Sequence, residues 1–317
     1  MRIVRMLLRA PPAVMYWLGL GQTRAMAQGE NAIFLCHGTP LRSAAPLERQ
    51  LRYLRRVFTL VPFAELAAST GAARAPPRRR QAAIIFDDGL RSNVRVAYPL
   101  LRALGIPATF FVCPGLIEER RWLWTHEARR RLQFARPQVR HELARELGVS
   151  AEVENFVQWM KQLDFPRRTR VEAMLRYATP AFVASAADRE AFDLAGWDEL
   201  RLLDPSIVAV GSHSMTHPVL PSMSAAEIES ELAESRRLIE AKLGRPAEFF
   251  SYPNGDADER TLAGVRRHYR AAVRSGSTTL RDPHLMPNRP LQRGVLPLAW
   301  QLNHPPAHWR KSAAVTA

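Results

Sequence analysis

The chain has 317 residues, of which 47% are hydrophobic and 24% are charged, and this ordinary globular composition excludes a protein that is disordered throughout. Its formal net charge of +15 and pI of about 11.0 favour anionic partners, although a general bias toward arginine explains the charge equally well. The sequence contains no zinc-finger, basic-zipper or RNA-recognition signature, so we expect no specific nucleic-acid partner.

The N-terminal segment, residues 1–30, is a basic leader with two interpretations. Three arginines precede the apolar stretch Ala13–Leu20, which is too short to span a bilayer. The residues Ala25–Ala27 resemble a signal-peptidase site, but prolines stand at the head of the apolar stretch. We expect either a segment that contacts a membrane surface or a weak signal peptide. The corresponding locations are the cytoplasm or the inner face of the membrane, with export as the alternative.

From residue 31 onward, strand-like and helix-like runs alternate, and we interpret 31–317 as one domain. Such alternation predicts parallel strands with right-handed crossovers, which fits both a barrel and an open doubly wound sheet. The segment of about 116–195 breaks the rhythm and is interpreted as a helical insertion. The predicted strands are 32–37, 58–61, 82–86, 108–112, 207–210, 249–252 and 271–274, and the predicted helices are 47–57, 94–104, 197–203, 224–243 and 258–268.

Two adjacent carboxylates, Asp87 and Asp88, directly follow the apolar run 82–86 and precede Gly89. Carboxylates at the end of a buried strand are costly unless they bind a partner. A cation would stabilise one of them and leave the other free to act as a base. An Asp-Gly turn with no further role is the alternative.

Two histidines four residues apart, His213 and His217, follow the apolar run 207–210. This spacing allows both imidazoles to reach one point, although two unrelated loop histidines would give the same pattern. Together with one carboxylate they make three protein ligands with open positions, which is typical of catalytic zinc. Non-haem iron oxygenases use a similar set, but usually with the first histidine close to the carboxylate in sequence, so the spacing here favours hydrolysis.

A third segment, FSYPNGD at 250–256, ends an aromatic strand in a turn. By itself it indicates an ordinary turn, or one wall of a pocket. The ordered set FDDG, HSMTH and FSYPNGD resembles the NodB-type polysaccharide deacetylases, carbohydrate esterase family 4. The resemblance covers roughly residues 31–295, less the insertion. The run Leu35-Cys36-His37-Gly38 is similar to the strand that opens one branch of that family.

The resemblance implies a distorted, incomplete (β/α) barrel with a helical insertion and a divalent metal, most often zinc. It further implies that Asp87 is the general base and that Asp88, His213 and His217 hold the metal. Substrate contacts would come from Tyr252, Pro253, Asn254 and Gly255, and from Arg293, which matches a late Leu-Pro-Arg segment of the family.

The sequence departs from the family pattern at several places. Ile85 precedes FDDG, where the family usually has Thr or Ser. Ser251 stands near the position at which the family has an Arg that orients the base. The late Leu-x-His motif that supplies the acid is not evident, so His37 becomes the expected acid, with a strand-end histidine of no further role as the alternative. His126 lacks a partner pattern and is expected to be structural or exposed.

The resemblance therefore predicts a hydrolase that removes N-acetyl groups from N-acetylhexosamine units of a bacterial-type surface polysaccharide (exopolysaccharide) or of its lipid-linked precursor. Carbohydrate is the expected substrate, with membrane contact through the basic leader. Two alternatives stay open: a deformylase or amidase acting on a lipid-linked amino sugar or a small cyclic amide, and a non-catalytic carbohydrate-binding relative.

Overall fold

A computed structural model describes residues 31–69, 80–275, 284–291 and the single residues 282 and 298. The leader at 1–30, the loop at 71–79 and Arg293 lie outside the described residues. Within the described residues, no helix is both long and apolar enough to cross a membrane. The strands are β1 (Ala32–Cys36), β2 (Thr59–Leu60), β3 (Gln81–Phe86), β4 (Ala108–Val112), β5 (Val208–Ser212), β6 (Phe249–Ser251), β7 (Ala271–Arg274), β8 (Leu285–Pro287) and β9 (Arg289–Pro290).

The strands form one sheet that curls into a nearly closed barrel. All strand pairings of this sheet are parallel, in the order β8-β7-β6-β5-β4-β3-β1-β9, with β2 beside β3. The two ends of this order, β8 and β9, are separated in the chain only by Asn288. One stretch of chain therefore pairs with β7 on one side and with β1 on the other, which brings the two borders of the sheet together and nearly closes the barrel. The pairing between β5 and β6 is short, since it joins only Ser212 and Phe250.

Alternate residues of each strand face two different apolar layers. In β1, Ile33 and Leu35 belong to an inner cluster, whereas Phe34 packs in an outer cluster against the surrounding helices. Phe63 fills the inside, because its ring contacts Phe111 of β4 and Phe249 of β6 edge-on, at centroid distances of 6.4 and 4.9 Å. The barrel interior is therefore a packed core, and chemistry is confined to its mouth.

Helices cover the outside of the barrel. α1 (Ala44–Val57) buries Leu47, Leu51 and Leu54 along one face, and each such side chain contributes about 1.5–3 kcal/mol when fully buried. α2 (Phe63–Ser69) and a π-helical turn leading into α3 (Tyr98–Leu104) follow. The later covering helices are α10 (Trp197–Arg201), α11 (Ala225–Leu243) and α12 (Glu259–His268).

The sequence correctly predicts both ends of α11. The hydroxyl of Ser224 accepts a hydrogen bond from the backbone N–H of Glu227, whose carboxylate accepts one from the N–H of Ser224 in return. Gly244 ends the helix at φ 64°, a left-handed conformation that glycine adopts without strain.

Between β4 and β5 the chain forms a helical insertion with a core of its own. Apolar side chains from four of its helices, including Trp124, Phe156, Met160 and Leu175, form one buried cluster that is separate from the barrel layers. The helices are α4 (Pro114–Glu118), α5 (Trp124–Phe134), α6 (Pro137–Leu147), α7 (Val153–Met160), α8 (Phe165–Ala178) and α9 (Ala186–Phe192).

The arginine run 129–131 in the insertion is neutralised by acids. Arg129 pairs with Glu154, Arg130 with Asp188 and Arg131 with Glu127, at nitrogen–oxygen distances of 2.6–2.9 Å. The run is therefore part of the insertion's packing and does not form an open basic patch.

Candidate metal centre and substrate pocket

A pocket of about 320 Å³ opens at the carboxyl ends of the barrel strands. His37 follows β1, Asp87 and Asp88 follow β3, His213 follows β5 and Tyr252 follows β6. Parallel strands bring their carboxyl ends to one face of the sheet, so side chains distant in sequence meet there. The full lining consists of His37, Asp87, Asp88, Leu123, Thr125, His126, Arg129, Lys161, His213, His217, Tyr252, Asn254, Gly255 and Ser275.

Three buried side chains converge in this pocket: Asp88, His213 and His217. Their ligand atoms all lie within 4.8 Å of one another. Asp88 Oδ1 is 3.6 Å from Nε2 of each histidine, which is too long for a hydrogen bond. Ligands at about 2.0–2.2 Å from a tetrahedral ion stand roughly 3.3–3.6 Å apart. The spacing and the donor types therefore fit a single divalent cation.

His213 is oriented by the backbone of β6. Its Nδ1 donates a hydrogen bond of 2.7 Å to the carbonyl oxygen of Ser251. A carbonyl can only accept, so the proton is on Nδ1 and the Nε2 lone pair is free to bind a metal. The pKa of His217 is lowered to about 3, by burial first and by His213 next. His217 is consequently neutral at ordinary pH, as a metal ligand must be.

The loop that carries both histidines is tightly wound. Ser214 and His217 have φ of 64° and 57°, in the left-handed region that non-glycine residues seldom occupy. The hydroxyl of Ser214 accepts a hydrogen bond from the N–H of His217 at 3.1 Å. The indole of Trp124 donates to the carbonyl oxygen of His217 at 3.0 Å, which ties the loop to the insertion. Trp124 thus anchors the insertion.

Glu231, a residue that the sequence analysis missed, holds the middle of this loop. From helix α11, its carboxylate accepts hydrogen bonds from the N–H groups of Met215 and Thr216, at 2.7 and 3.1 Å. It also accepts one from the hydroxyl of Thr216 at 2.7 Å. Burial raises the pKa of Glu231, and these hydrogen bonds oppose the rise. No local pattern predicts this role, because Glu231 falls within an acidic stretch of α11 that resembles an ordinary solvent-facing helix.

Asp87 lies beside the three convergent side chains with one oxygen held and one free. Ser251 donates its hydroxyl hydrogen to Oδ2 at 3.0 Å, whereas Oδ1 is buried without a hydrogen-bond partner among the described residues. Burial raises the pKa of Asp87, although His213 and His37 act in the opposite direction. Ser251 therefore contacts the carboxylate from the place where the family pattern has an arginine.

The turn after β3 gives the two carboxylates different directions. Asp88 has φ 74° and Gly89 has φ 68°. A Cβ on Gly89 would stand 3.1 Å from the side chain of Val112, so this turn leaves no room for a side chain there. Strained backbone of this kind is frequent at functional sites.

The turn after β6 forms a further wall of the pocket. Tyr252, Asn254 and Gly255 line it, whereas Pro253 is buried and does not reach the cavity. Arg274 fixes the turn by donating two hydrogen bonds to the carbonyl oxygen of Gly255, at 3.1 and 2.7 Å. Substrate contact by Pro253 stays a prediction, because the residue is buried here and is not part of the pocket lining.

Two histidines outside the convergent three also line the pocket. His37 is exposed at the end of β1 and interacts electrostatically with Asp87 and Asp88. His126, on α5, is half-buried and lines the same cavity. The insertion brings it to the barrel mouth, which no local pattern around residue 126 indicates.

Known proteins share this architecture. IcaB from Ammonifex degensii gives a TM-score of 0.57 at 17% identity, over 87% of this chain and 99% of that chain. The deacetylase PplD of Streptococcus pyogenes, solved in complex with acetate, gives 0.56 at 14% identity, over 87% and 98%. A putative polysaccharide deacetylase from Bacillus anthracis gives 0.53 at 15% identity, over 86% and 68%. A search of curated proteins found no match.

These structural likenesses confirm the predicted fold, a distorted, incomplete (β/α) barrel of the NodB type. Residues 74–272 match the family model described as polysaccharide deacetylase, and this match contains FDDG, HSMTH and FSYPNGD. The match spans more than half of the chain and includes all of the convergent carboxylates and imidazoles. This chain belongs to the polysaccharide deacetylase family of hydrolases.

Proposed function

We propose that the chain is a metal-dependent deacetylase that removes N-acetyl groups from N-acetylhexosamine units of a surface polysaccharide or of its lipid-linked precursor. The observation that carries the proposal is the convergence of Asp88, His213 and His217 next to a fourth group, Asp87. One carboxylate and two imidazoles with open positions favour zinc over magnesium or calcium, which prefer all-oxygen sites.

The chemistry follows from the positions of the chain's own groups. A divalent ion in this site supplies a lowered pKa for a nearby water and a polarised acetamide carbonyl. Asp87 acts as the general base through its free Oδ1, because Ser251 engages the other oxygen. The raised pKa of Asp87 suits this role, since a base works best with a pKa closer to the working pH.

His37 is the proposed general acid that protonates the departing amine of the sugar. It lies directly after β1, is exposed, and lines the same pocket as Asp87. Tyr252, Asn254 and Gly255 would contact the sugar from the β6 turn. Arg293 remains a predicted substrate contact that lies outside the described residues.

The experiment compares acetate release from a panel of N-acetylated glycans by zinc-loaded and chelator-treated protein. We expect release only with metal, and formate release from N-formyl analogues would instead support the deformylase alternative. Asp88→Ala should lose both bound zinc and turnover, since it removes one of three ligands. Asp198→Ala, at an exposed carboxylate on α10, is the matched control and should retain both. Stoichiometric zinc in Asp88→Ala would contradict the proposed ligand set.

A further inference from the structure

The helical insertion supplies a whole wall of the pocket. Its pocket-lining residues share one cavity with the candidate metal ligands and the turn after β6, so a glycan that fills this cavity contacts both the barrel and the insertion. Most of these residues are polar, as expected for a surface that hydrogen-bonds a ligand. They are Leu123, Thr125, His126, Arg129 and Lys161.

His126 stands out within this wall because packing fixes its ring while its nitrogens have no protein partner. The ring stacks on Phe192 at a centroid distance of 4.6 Å and an interplanar angle of 24°. Phe192 in turn contacts Trp122, whose indole donates a hydrogen bond of 2.8 Å to Asp193. The position of the imidazole is therefore set before any ligand arrives.

The hydrogen-bonding capacity of His126 is unused within the described part of the chain. Nδ1 is shielded from solvent and has no hydrogen-bond partner, and no described residue hydrogen-bonds Nε2 either. Leaving polar nitrogens of a pocket residue without a partner costs stability, so the retention of His126 points to a ligand that hydrogen-bonds Nε2, the nitrogen that is not shielded. Burial first, and Arg129 among the neighbouring charges, lower the pKa of His126.

A neutral imidazole offers one donor and one acceptor. Sugar hydroxyl groups have the same dual character, whereas a carboxylate or phosphate only accepts. Arg129 donates two hydrogen bonds of 2.6 and 2.9 Å to Glu154, and this ion pair largely neutralises its charge. A hydroxyl is therefore the group that His126 can hydrogen-bond in either tautomer, as a donor to the lone pair or as an acceptor from the N–H.

We propose that His126 forms a substrate subsite in the insertion and binds one hydroxyl group of the glycan close to the acetamide that is hydrolysed. This inference rests on the proposed function and extends it by assigning a specificity-determining contact to the insertion. Since the fixed ring can meet only one hydroxyl, the enzyme should discriminate between sugars that differ at that hydroxyl.

The test uses His126→Phe, which keeps an aromatic ring against Phe192 and removes both nitrogens. The substrates are N-acetylglucosamine trisaccharides, β-1,4- and β-1,6-linked, and analogues that lack one hydroxyl each. We expect His126→Phe to lower kcat/KM on the parent sugar by about tenfold, mainly through KM. For one deoxy analogue, kcat/KM of the wild type should fall by a similar factor relative to the parent sugar. For the same analogue, kcat/KM of His126→Phe should equal its value on the parent sugar.

The matched control is His141→Phe, at an exposed histidine of α6 in the same insertion, which should behave like the wild type. Dissociation constants for the same sugars, measured by calorimetry, give a readout that does not depend on turnover. Absent acetate release alongside the expected binding pattern would contradict the proposed function and leave this inference standing. Wild-type kcat/KM and affinity in His126→Phe, or losses equal on every analogue, would overturn the inference.

Discussion

The barrel and the helical insertion meet at one pocket but differ in what holds them together. The barrel positions its reactive groups through the backbone: Asp87, Asp88 and His213 each follow a parallel strand within a residue or two. The insertion is held by its own apolar cluster and by arginine–carboxylate pairs such as Arg176 with Glu127. Under the proposed function, the barrel supplies the chemistry and the insertion shapes the space in which the substrate lies.

The largest effect should follow from changing the proposed base on the barrel. Asp87→Asn keeps the shape of the side chain and the acceptor for Ser251, but it removes the proton-accepting charge. We expect kcat to fall by about 10²–10⁴-fold while bound zinc stays stoichiometric. Acetate release and metal content, measured on one preparation, check both points. Turnover that survives the substitution would remove the assignment of Asp87.

A smaller effect should follow from changing Glu231 on α11, the covering helix that holds the histidine loop at the barrel mouth. Glu231→Gln leaves a single acceptor oxygen in place of the carboxylate that holds Met215 and Thr216, so the histidine loop loosens. We expect zinc affinity to fall by about 10–100-fold, which chelator competition measures. Glu229→Gln, at a half-buried position on the same helix that pairs with Arg267, is the control and should bind zinc normally. Unchanged affinity in Glu231→Gln would show that the loop is held by its other contacts.

The smallest effect on turnover should come from the insertion's own ion pairs. Glu127 accepts hydrogen bonds from Arg131 and Arg176 at 2.9–3.0 Å, and these outweigh burial and lower its pKa. Glu127→Gln should reduce the free energy of unfolding at pH 7 by about 1–2 kcal/mol, with turnover little changed while the protein is folded.

The same substitution predicts a pH dependence with a definite sign. A carboxylate whose pKa is lower in the folded state stabilises the protein above its unfolded pKa, and this contribution disappears as pH falls through the folded pKa. Denaturant unfolding of the wild type and of Glu127→Gln should therefore differ at pH 7 and converge in acid, as the pH falls below the ordinary glutamate pKa of about 4.3 and through the lower pKa of the folded state. A difference that persists there would show that Glu127 acts through packing and not through charge.

The residues that sequence predicted well are those whose position depends on local pattern. Asp88 and His213 closely follow buried strands and His217 comes four residues after His213, so the parallel topology brings the two segments that carry them to one face of the barrel. The same holds for α11, whose capping residues mark both ends.

The residues that sequence missed depend on tertiary approach. Glu231 and His126 act across elements that are far apart in the chain, and nothing in their neighbours reveals the partner. α2 escaped detection because its short, alanine-rich run has no clear periodicity, although Phe63 fills the barrel. The final strands β8 and β9 are too short and too rich in proline to be recognised.

The short stretch 285–290 has a consequence for the solution behaviour of the protein. It is seated between β7 and β1, so the N–H and C=O groups along both neighbours are engaged instead of facing water. Were it displaced, two exposed sheet borders would be available to pair with other molecules, a common route to aggregation. These six residues thus cover two strand borders at once, and substitutions that weaken their pairing should increase aggregation.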